Sequence, residues 1–493
     1  MNFSSLLFLY IYLPLILLVY FAMPDVRRKN IVLVAVSFLL YSMGQPLYAV
    51  LLAGLSWANY RFSLAIRPHQ VQSLYLPLAV NLAVFILFQH VDSILGVLRL
   101  GADSGGYLLG LIKKIVVGLN AIGMNLVEPK TLLPIGLPFY FLTVVSYFVD
   151  IYSGKHKAEK DMLNCLTYLT MFPKLAQGPI VHYGQVSKQL SGRKVYPRII
   201  FEGMGRFVIG LSKKVMLADY CARTISSLAD GADQTLVGAW LCALLYMYRI
   251  YFDFSGCCDM AIGLGRVFGF RFPENFDYPY SAVSVTEFTK KWNLTLGAFL
   301  REYVYNPLGG NHYGQIRQVV NCLIVWILMG LWHGGGLNYL VWALYLFVLV
   351  MLEKLLEMQL VDLPKALRRF LTFLAILFGW VFFAHKDLME LGASLKGLLG
   401  FGGFSAAGVG RTVLNSIPLI LACIIGSGRI PAQLGHFWAH LCGMAGKQRK
   451  NEAVRVAKIV YLITAFGYVC LLLWLCSVSL ATHGSVPSIF GGI

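Results

Sequence analysis

Apolar stretches recur from one end of this chain to the other, over residues 6–21, 31–41, 74–88, 132–149, 239–252, 319–332, 337–352, 371–383, 413–425 and 459–480. Loops that hold much of the charge separate them. A helix needs about 20 mostly apolar residues to cross the hydrocarbon core of a bilayer. The pattern therefore predicts an all-α polytopic membrane protein with roughly ten to twelve transmembrane helices. No internal repeat, low-complexity segment or long linker breaks it. A single integral membrane domain is expected over 1–493: simple spans first, a denser middle at about 130–350, and plain spans over 351–493 around a basic loop at 427–458.

The middle stretch departs from the simple pattern. Asp253 and Asp259 fall inside an apolar run, and Lys290, Lys291, Arg301 and Glu302 are interleaved with aromatic residues. Charge and irregular backbone at membrane depth persist only where protein buries them or they line a water-filled cavity. A ring of helices around a central polar funnel is the architecture this predicts.

The sharpest signal is His333, between two apolar runs and inside Trp332-His333-Gly334-Gly335-Gly336. An ionisable side chain in such a place marks a functional site by default. The glycines let a ligand or another backbone approach closely. Neutral imidazole can take a proton from a hydroxyl as it attacks a thioester; the competing reading is a histidine that only bonds between helices. Asn293, after Lys290-Lys291-Trp292, reads either as a helix cap or as an amide that orients the imidazole or binds an oxyanion. Asp253 and Asp259, six residues apart, would lie on opposite faces of an unbroken helix, with Gly256 a candidate break between them. They read as structural polar residues, capping helix ends or pairing with Arg266, Arg271 or Arg301.

Composition sharpens the class. The chain is 58% hydrophobic and 13% charged, with a mean hydropathy of +0.68, against about 25% charged residues in soluble domains. Its net charge of +18 comes from 41 Lys and Arg against 23 Asp and Glu. The basic residues gather in short loops, as cytoplasmic loops do, and no basic groove interleaved with aromatics accompanies them, so no nucleic-acid partner is expected. The first apolar run lacks a basic leader and a small-residue cleavage site. It reads as an uncleaved span with the N-terminus outside and Arg27-Arg28-Lys29 inside. Ten cysteines without a C-x-x-C pattern predict neither a disulfide framework nor zinc. His436 and His440 have metal-ligand spacing but no third ligand, so no metal is expected.

The segments Asp253-Phe254-Ser255-Gly256-x-x-Asp259-Met260-Ala261-Ile262-Gly263, Phe270-Arg271-Phe272-Pro273-Glu274-Asn275-Phe276, Pro307-Leu308-Gly309-Gly310-Asn311 and Gly330-Leu331-Trp332-His333-Gly334 carry a resemblance. The chain resembles the membrane-bound O-acyltransferases, in particular the bacterial branch that includes the membrane component of alginate O-acetylation. The resemblance covers roughly residues 1–350 and is most specific over 250–335. It implies that His333 is the active-site histidine and that Asn293 occupies the second catalytic position, where this branch more often carries His.

What the resemblance implies for function is transfer of an acyl group, expected to be acetyl, from a cytoplasmic thioester to hydroxyls of an exported envelope polysaccharide. The donor would be acetyl-CoA or an acyl-carrier thioester, with no bound cofactor. Trp292, Trp332, Arg301, Lys290 and Lys291 are candidates for binding donor or substrate, and the basic ones equally read as snorkelling side chains. The setting would be the bacterial plasma membrane, with the lipid bilayer and an extracytoplasmic esterase-like acyltransferase as partners. Two rivals remain: D-alanyl transfer toward teichoic acid from a carrier protein, and a transporter in which His333 relays protons.

Overall fold

A computed structural model of the chain describes residues 3–97, 107–121, 133–228, 231–312, 314–356, 363–385, 388–441 and 452–489. Among them every regular element is helical, and the one isolated extended pairing is Phe276 with Trp292. The helices that organise the molecule are α1 (Val26–Gly44), α2 (Pro46–Ala65), α3 (Gln72–Gln89), α4 (Leu137–Tyr152), α5 (Pro197–Ser212), α6 (Leu236–Val267), α7 (Val285–Thr289), α8 (Leu294–Leu300), α9 (Gln315–His333), α10 (Leu337–Leu355), α11 (Lys365–Ala384), α12 (Val409–Ser427) and α13 (Glu452–His483).

Among the described residues six helices are long and apolar enough to cross a membrane: α3, α9, α10, α11, α12 and the Ile459–His483 part of α13. The other apolar stretches fall in helices that are shorter, such as α4, or that carry polar residues for the interior. Asn30 and Ser37 in α1 and Ser56 and Asn59 in α2 are all buried. They are also bonded: Asn59 and Asn81 exchange side-chain hydrogen bonds of 3.0 and 2.7 Å. Part of the basic loop, residues 442–451, lies outside the described residues.

Helix α6 is the central beam. Its 32 residues extend about 48 Å at 1.5 Å each, and 22 of them are buried. It packs closely against α5 because both helices present glycine at the contact. A Cβ on Gly210 would come within 2.6 Å of the Gly256 carbonyl oxygen, and one on Gly263 within 2.6 Å of the Gly203 oxygen. Small residues that let helix backbones touch are the usual cohesion inside a bilayer, where burying apolar surface gains little over lipid.

That contact corrects the reading of the two aspartates. Gly256 does not break α6, which runs uninterrupted through it; it is the point where α5 docks. Neither aspartate pairs with Arg266, Arg271 or Arg301. Asp259 instead binds Arg206 at 2.7 Å and Lys213 at 2.6 Å, side chains that the glycine contact brings alongside. Asp253 binds Lys214 at 2.8 Å, and Lys214 also binds Asp219 at 2.8 Å. All three are buried. The segment after α13 completes this cluster: Ser488 Oγ and the Ile489 amide donate to Asp253 Oδ2 at 2.6 and 2.7 Å, and Lys214 Nζ donates to the Val486 carbonyl at 2.8 Å.

Candidate active site

His333 ends α9, and its position follows from the three glycines after it. A Cβ on Gly334 would come within 2.5 Å of the Tyr339 ring, and one on Gly335 within 2.3 Å of Ser93 Oγ. The glycines thus admit groups of this protein close to the backbone beside the imidazole. Chain reversal into α10 then returns Tyr339 and Trp342 to the ring. Its centroid lies 5.1 Å from Trp342, 5.4 Å from Phe383 and 4.8 Å from Trp332, with Trp342 and Phe383 edge-on at 87° and 86°. His333 is half-buried in this aromatic wall.

Trp332 anchors the other side. It is buried, donates its indole N–H to the Pro138 carbonyl at 3.2 Å and meets Phe139 edge-on at 5.3 Å. Gln89 Nε2 donates to the Trp332 carbonyl at 3.1 Å. Helices α3 and α4 therefore both fix the end of α9 that carries His333.

Asn293 sits just before α8 in the left-handed region, φ 48° and ψ 57°, where asparagine is among the few tolerated residues. Its side chain does not cap α8. Asn275 does so from a distance: its main-chain oxygen accepts from the Leu294 amide at 3.0 Å, and its side-chain oxygen from the Thr295 amide at 3.1 Å. The Asn293 side chain is released for other use. It is only 4% exposed, and its Oδ1 has no hydrogen-bond partner among the described residues. A buried polar atom left unpaired costs about 1–3 kcal/mol, so the Asn293 oxygen is open to a ligand or an ordered water.

An aromatic ladder joins the two stretches. The Trp292 ring lies 4.7 Å from Trp380, Trp380 stacks 5.8 Å from Trp342, and Trp342 meets His333. The structure thus links Trp292 to His333 and Trp332 through one run of aromatic contacts, with Asn293 next to Trp292 in the chain. Sequence reasoning missed Trp380, Trp342, Tyr339, Phe383 and Asn275. The spacings Tyr339/Trp342 and Trp380/Phe383, each i, i+3 on a helix, were the available signal for the wall.

The basic candidates lie elsewhere. Lys291 is bound to Glu287 at 2.7 Å and donates to Ser281 Oγ at 3.3 Å, while Lys290 is exposed beside a separate cavity. Arg301 and Glu302 belong to the other end of α9. Asn321 Nδ2 ties the early part of that helix to the carbonyls of Leu308 and Gly310, both at 3.2 Å, and His333 stands twelve residues further on, about 18 Å along the axis. Glu302 pairs with Lys155, which also lies 3.5 Å from Asp150. Asp150 accepts from the Tyr303 hydroxyl at 2.9 Å, and that hydroxyl meets His182 Nδ1 at 2.9 Å. In His182 burial depresses the imidazole pKa, against the nearby Asp150 carboxylate, which raises it. Among the described residues no group of three His, Cys, Asp or Glu side chains could hold a metal ion.

The model of the membrane-bound O-acyltransferase family matches residues 132–386, which span the aromatic wall, Asn293 and His333. The chain is 32% identical over 440 residues to the probable alginate O-acetylase AlgI of Pseudomonas aeruginosa, covering 86% of this chain and 80% of that one. It is 30% identical over 446 residues to the peptidoglycan O-acetyltransferase of Helicobacter pylori, covering 82% and 80%. The teichoic acid D-alanyltransferase of Bacillus subtilis is more distant, 24% identical over 228 residues, 44% of this chain and 58% of that one. With the family match spanning more than half the chain and relatives aligned along most of their length, this chain belongs to the membrane-bound O-acyltransferase family.

Proposed function

We propose that this multi-pass membrane O-acyltransferase moves an acetyl group from a thioester donor, acetyl-CoA or an acyl-carrier thioester on the cytoplasmic side, to hydroxyls of an exported envelope polysaccharide. The observation that carries the reading is half-buried His333 at one end of an aromatic ladder whose other end is Trp292, the residue before buried Asn293 with its unpaired side-chain oxygen. The setting we infer is the bacterial plasma membrane with the N-terminus outside, and an extracytoplasmic esterase-like acyltransferase as partner.

The chemistry needs only side chains. His333 accepts the proton of the attacking hydroxyl; the oxygen forms a bond to the thioester carbonyl carbon; the C–S bond breaks, and the sulfur leaves as a thiol with that proton. Aromatic packing around the imidazole excludes water that would hydrolyse the thioester. The buried Asn293 amide serves to hold the imidazole through Oδ1 or to donate Nδ2–H to the oxyanion.

The test is the O-acyl ester content of isolated envelope polysaccharide, read by NMR and mild base release. Wild type, a deletion strain and the deletion complemented with His333→Ala are compared at matched membrane levels. Acetate lost in both altered strains supports the reading. Release of D-alanine instead transfers it to the D-alanyl class, and esters unchanged throughout end it.

A further inference from the structure

A second cavity, of about 570 Å³, lies between α7, α10 and α11, away from the aromatic wall. Its position along α10 fixes its depth. Asn338 at the start of α10 donates to the Phe383 carbonyl at 2.9 Å, beside His333, whereas the cavity is lined from Leu349 to Leu356. Eleven residues separate Asn338 from Leu349, so the cavity begins about 16 Å further along the helix. It therefore opens at the end of α10 and the beginning of α11, where Lys354, Lys365, Arg368 and Arg369 cluster.

The lining has two parts. One wall is apolar, built from Val285, Leu349, Leu352, Leu371 and Ala375. Leu352 and Leu371 are each 45% exposed, on helices long and apolar enough to span a bilayer, so this wall is continuous with a surface that faces hydrocarbon. The other part is charged. Lys290, Lys354 and Arg368 stand at the rim with Glu287 and Glu353.

The acids are already committed. Glu287 binds Lys291 at 2.7 Å, and Glu353 accepts from the Val285 and Thr286 amides at the start of α7. Lys354 donates to the neutral Gln318 at 2.6 Å. Lys290 and Arg368 have no acidic partner among the described residues. A rim with three basic side chains against two acids already engaged elsewhere, above an apolar slot between spanning helices, fits a phosphate ester that carries an acyl tail.

We propose that this cavity is a binding site for one anionic phospholipid. Its phosphate sits against Arg368 and Lys290, with Lys354 at the edge, and one acyl chain lies along Leu349, Leu352, Leu371 and Ala375. The lipid would brace α7, whose last turn leads directly into Lys291-Trp292-Asn293. The site neither overlaps the aromatic wall nor takes part in acyl transfer, so it stands independently of the proposed function.

Native mass spectrometry of the full chain, released from nanodiscs of mixed phosphatidylglycerol and phosphatidylcholine, tests the proposal. Wild type should retain one phosphatidylglycerol in preference to phosphatidylcholine. Arg368→Gln should lower that retention about fivefold, and Arg368→Lys, which keeps the charge, should lower it less. Equal retention in wild type and Arg368→Gln overturns the site, as does indifference to headgroup in wild type, a measurement that needs no variant. Adding free coenzyme A separates the two sources of phosphate: loss of the lipid at micromolar coenzyme A would assign the pocket to a soluble phosphate ester and refute the lipid.

Discussion

Asn275 holds Thr295 twice: its side-chain oxygen accepts from the Thr295 amide at 3.1 Å and from the Thr295 hydroxyl at 2.8 Å. The Thr295 hydroxyl in turn accepts from the Ile180 amide at 3.0 Å, and Asn275 Nδ2 donates to Cys258 Sγ at 3.2 Å. Three separate segments thereby fix the backbone on which Asn293 turns. Asn275→Ala should destabilise the protein by about 1–3 kcal/mol, the cost of leaving buried donors unmet, and should lower acyl transfer as Asn293 loses its setting. Cys258→Ala removes only weaker sulfur contacts, with Asn275 Nδ2 and with the Gln177 carbonyl at 3.5 Å, and should cost less on both counts. Thermal unfolding in detergent and polysaccharide ester content read the two effects separately, and equal behaviour of the variants would refute the positioning role.

His333 and Asn293 are predicted to respond unequally. His333→Ala removes the base and should lower transfer by about 10²–10⁴-fold. Asn293→His places at this position a residue also enriched at positive φ, so the backbone at φ 48° accepts it and part of the activity should remain. Asn293→Val forces a β-branched residue into the left-handed region at a cost of roughly 1–2 kcal/mol and should be inactive. Rate measurements on membranes with matched protein levels decide this. An inactive Asn293→His in a normally inserted protein would mean that the amide itself is required.

How much of this was legible in the sequence depended on how local the cause was. The helical membrane class followed from run lengths, and His333 stood out because an ionisable group between apolar runs needs a reason. The partners of Asp253 and Asp259 were not legible. They depend on α5 docking at Gly256, and close approach between two glycine-bearing helices leaves no mark that distinguishes a docking glycine from a helix-breaking one. Trp380, 88 residues beyond Trp292 in the chain, looks like any other apolar span residue until α11 brings it within 4.7 Å. The capping of α8 by Asn275 is likewise non-local, whereas local caps such as Asp25 on α1, accepting from the Arg28 amide at 2.8 Å, follow standard N-cap preference.

The α5–α6 contact predicts a steric threshold. Gly256→Ala puts a methyl group about 2.7 Å from the Gly210 carbonyl oxygen, and backbone cannot move aside as a flexible side chain would. Overpacking of this kind costs about 1–3 kcal/mol, and Gly256→Val should cost more and reduce the amount of folded protein in the membrane. Gly297→Ala is the control, since nothing lies within 4 Å of its would-be Cβ. Fluorescence-detected size exclusion of the solubilised variants would show it: a monodisperse Gly256→Val peak equal to wild type would contradict the contact.

Two ion pairs should differ by an order that burial sets. Lys214 is 3% exposed and shared between Asp253 and Asp219, so Asp253→Ala leaves a buried ammonium with half its counter-charge and also abandons the bonds from Ser488 and Ile489. Breaking a buried pair from one side typically costs about 3–5 kcal/mol. Lys155 and Glu302 are 45% and 42% exposed, and Glu302→Gln should cost about 0–1 kcal/mol, with water compensating the loss. Ser488→Ala isolates the contribution of the segment after α13: it keeps every charge and removes a single donor to Asp253, and should fall between the two. Unfolding midpoints of the three variants in one detergent give the ranking, and an Asp253→Ala protein as stable as Glu302→Gln would show that the tail and triad do not tie α13 to α6.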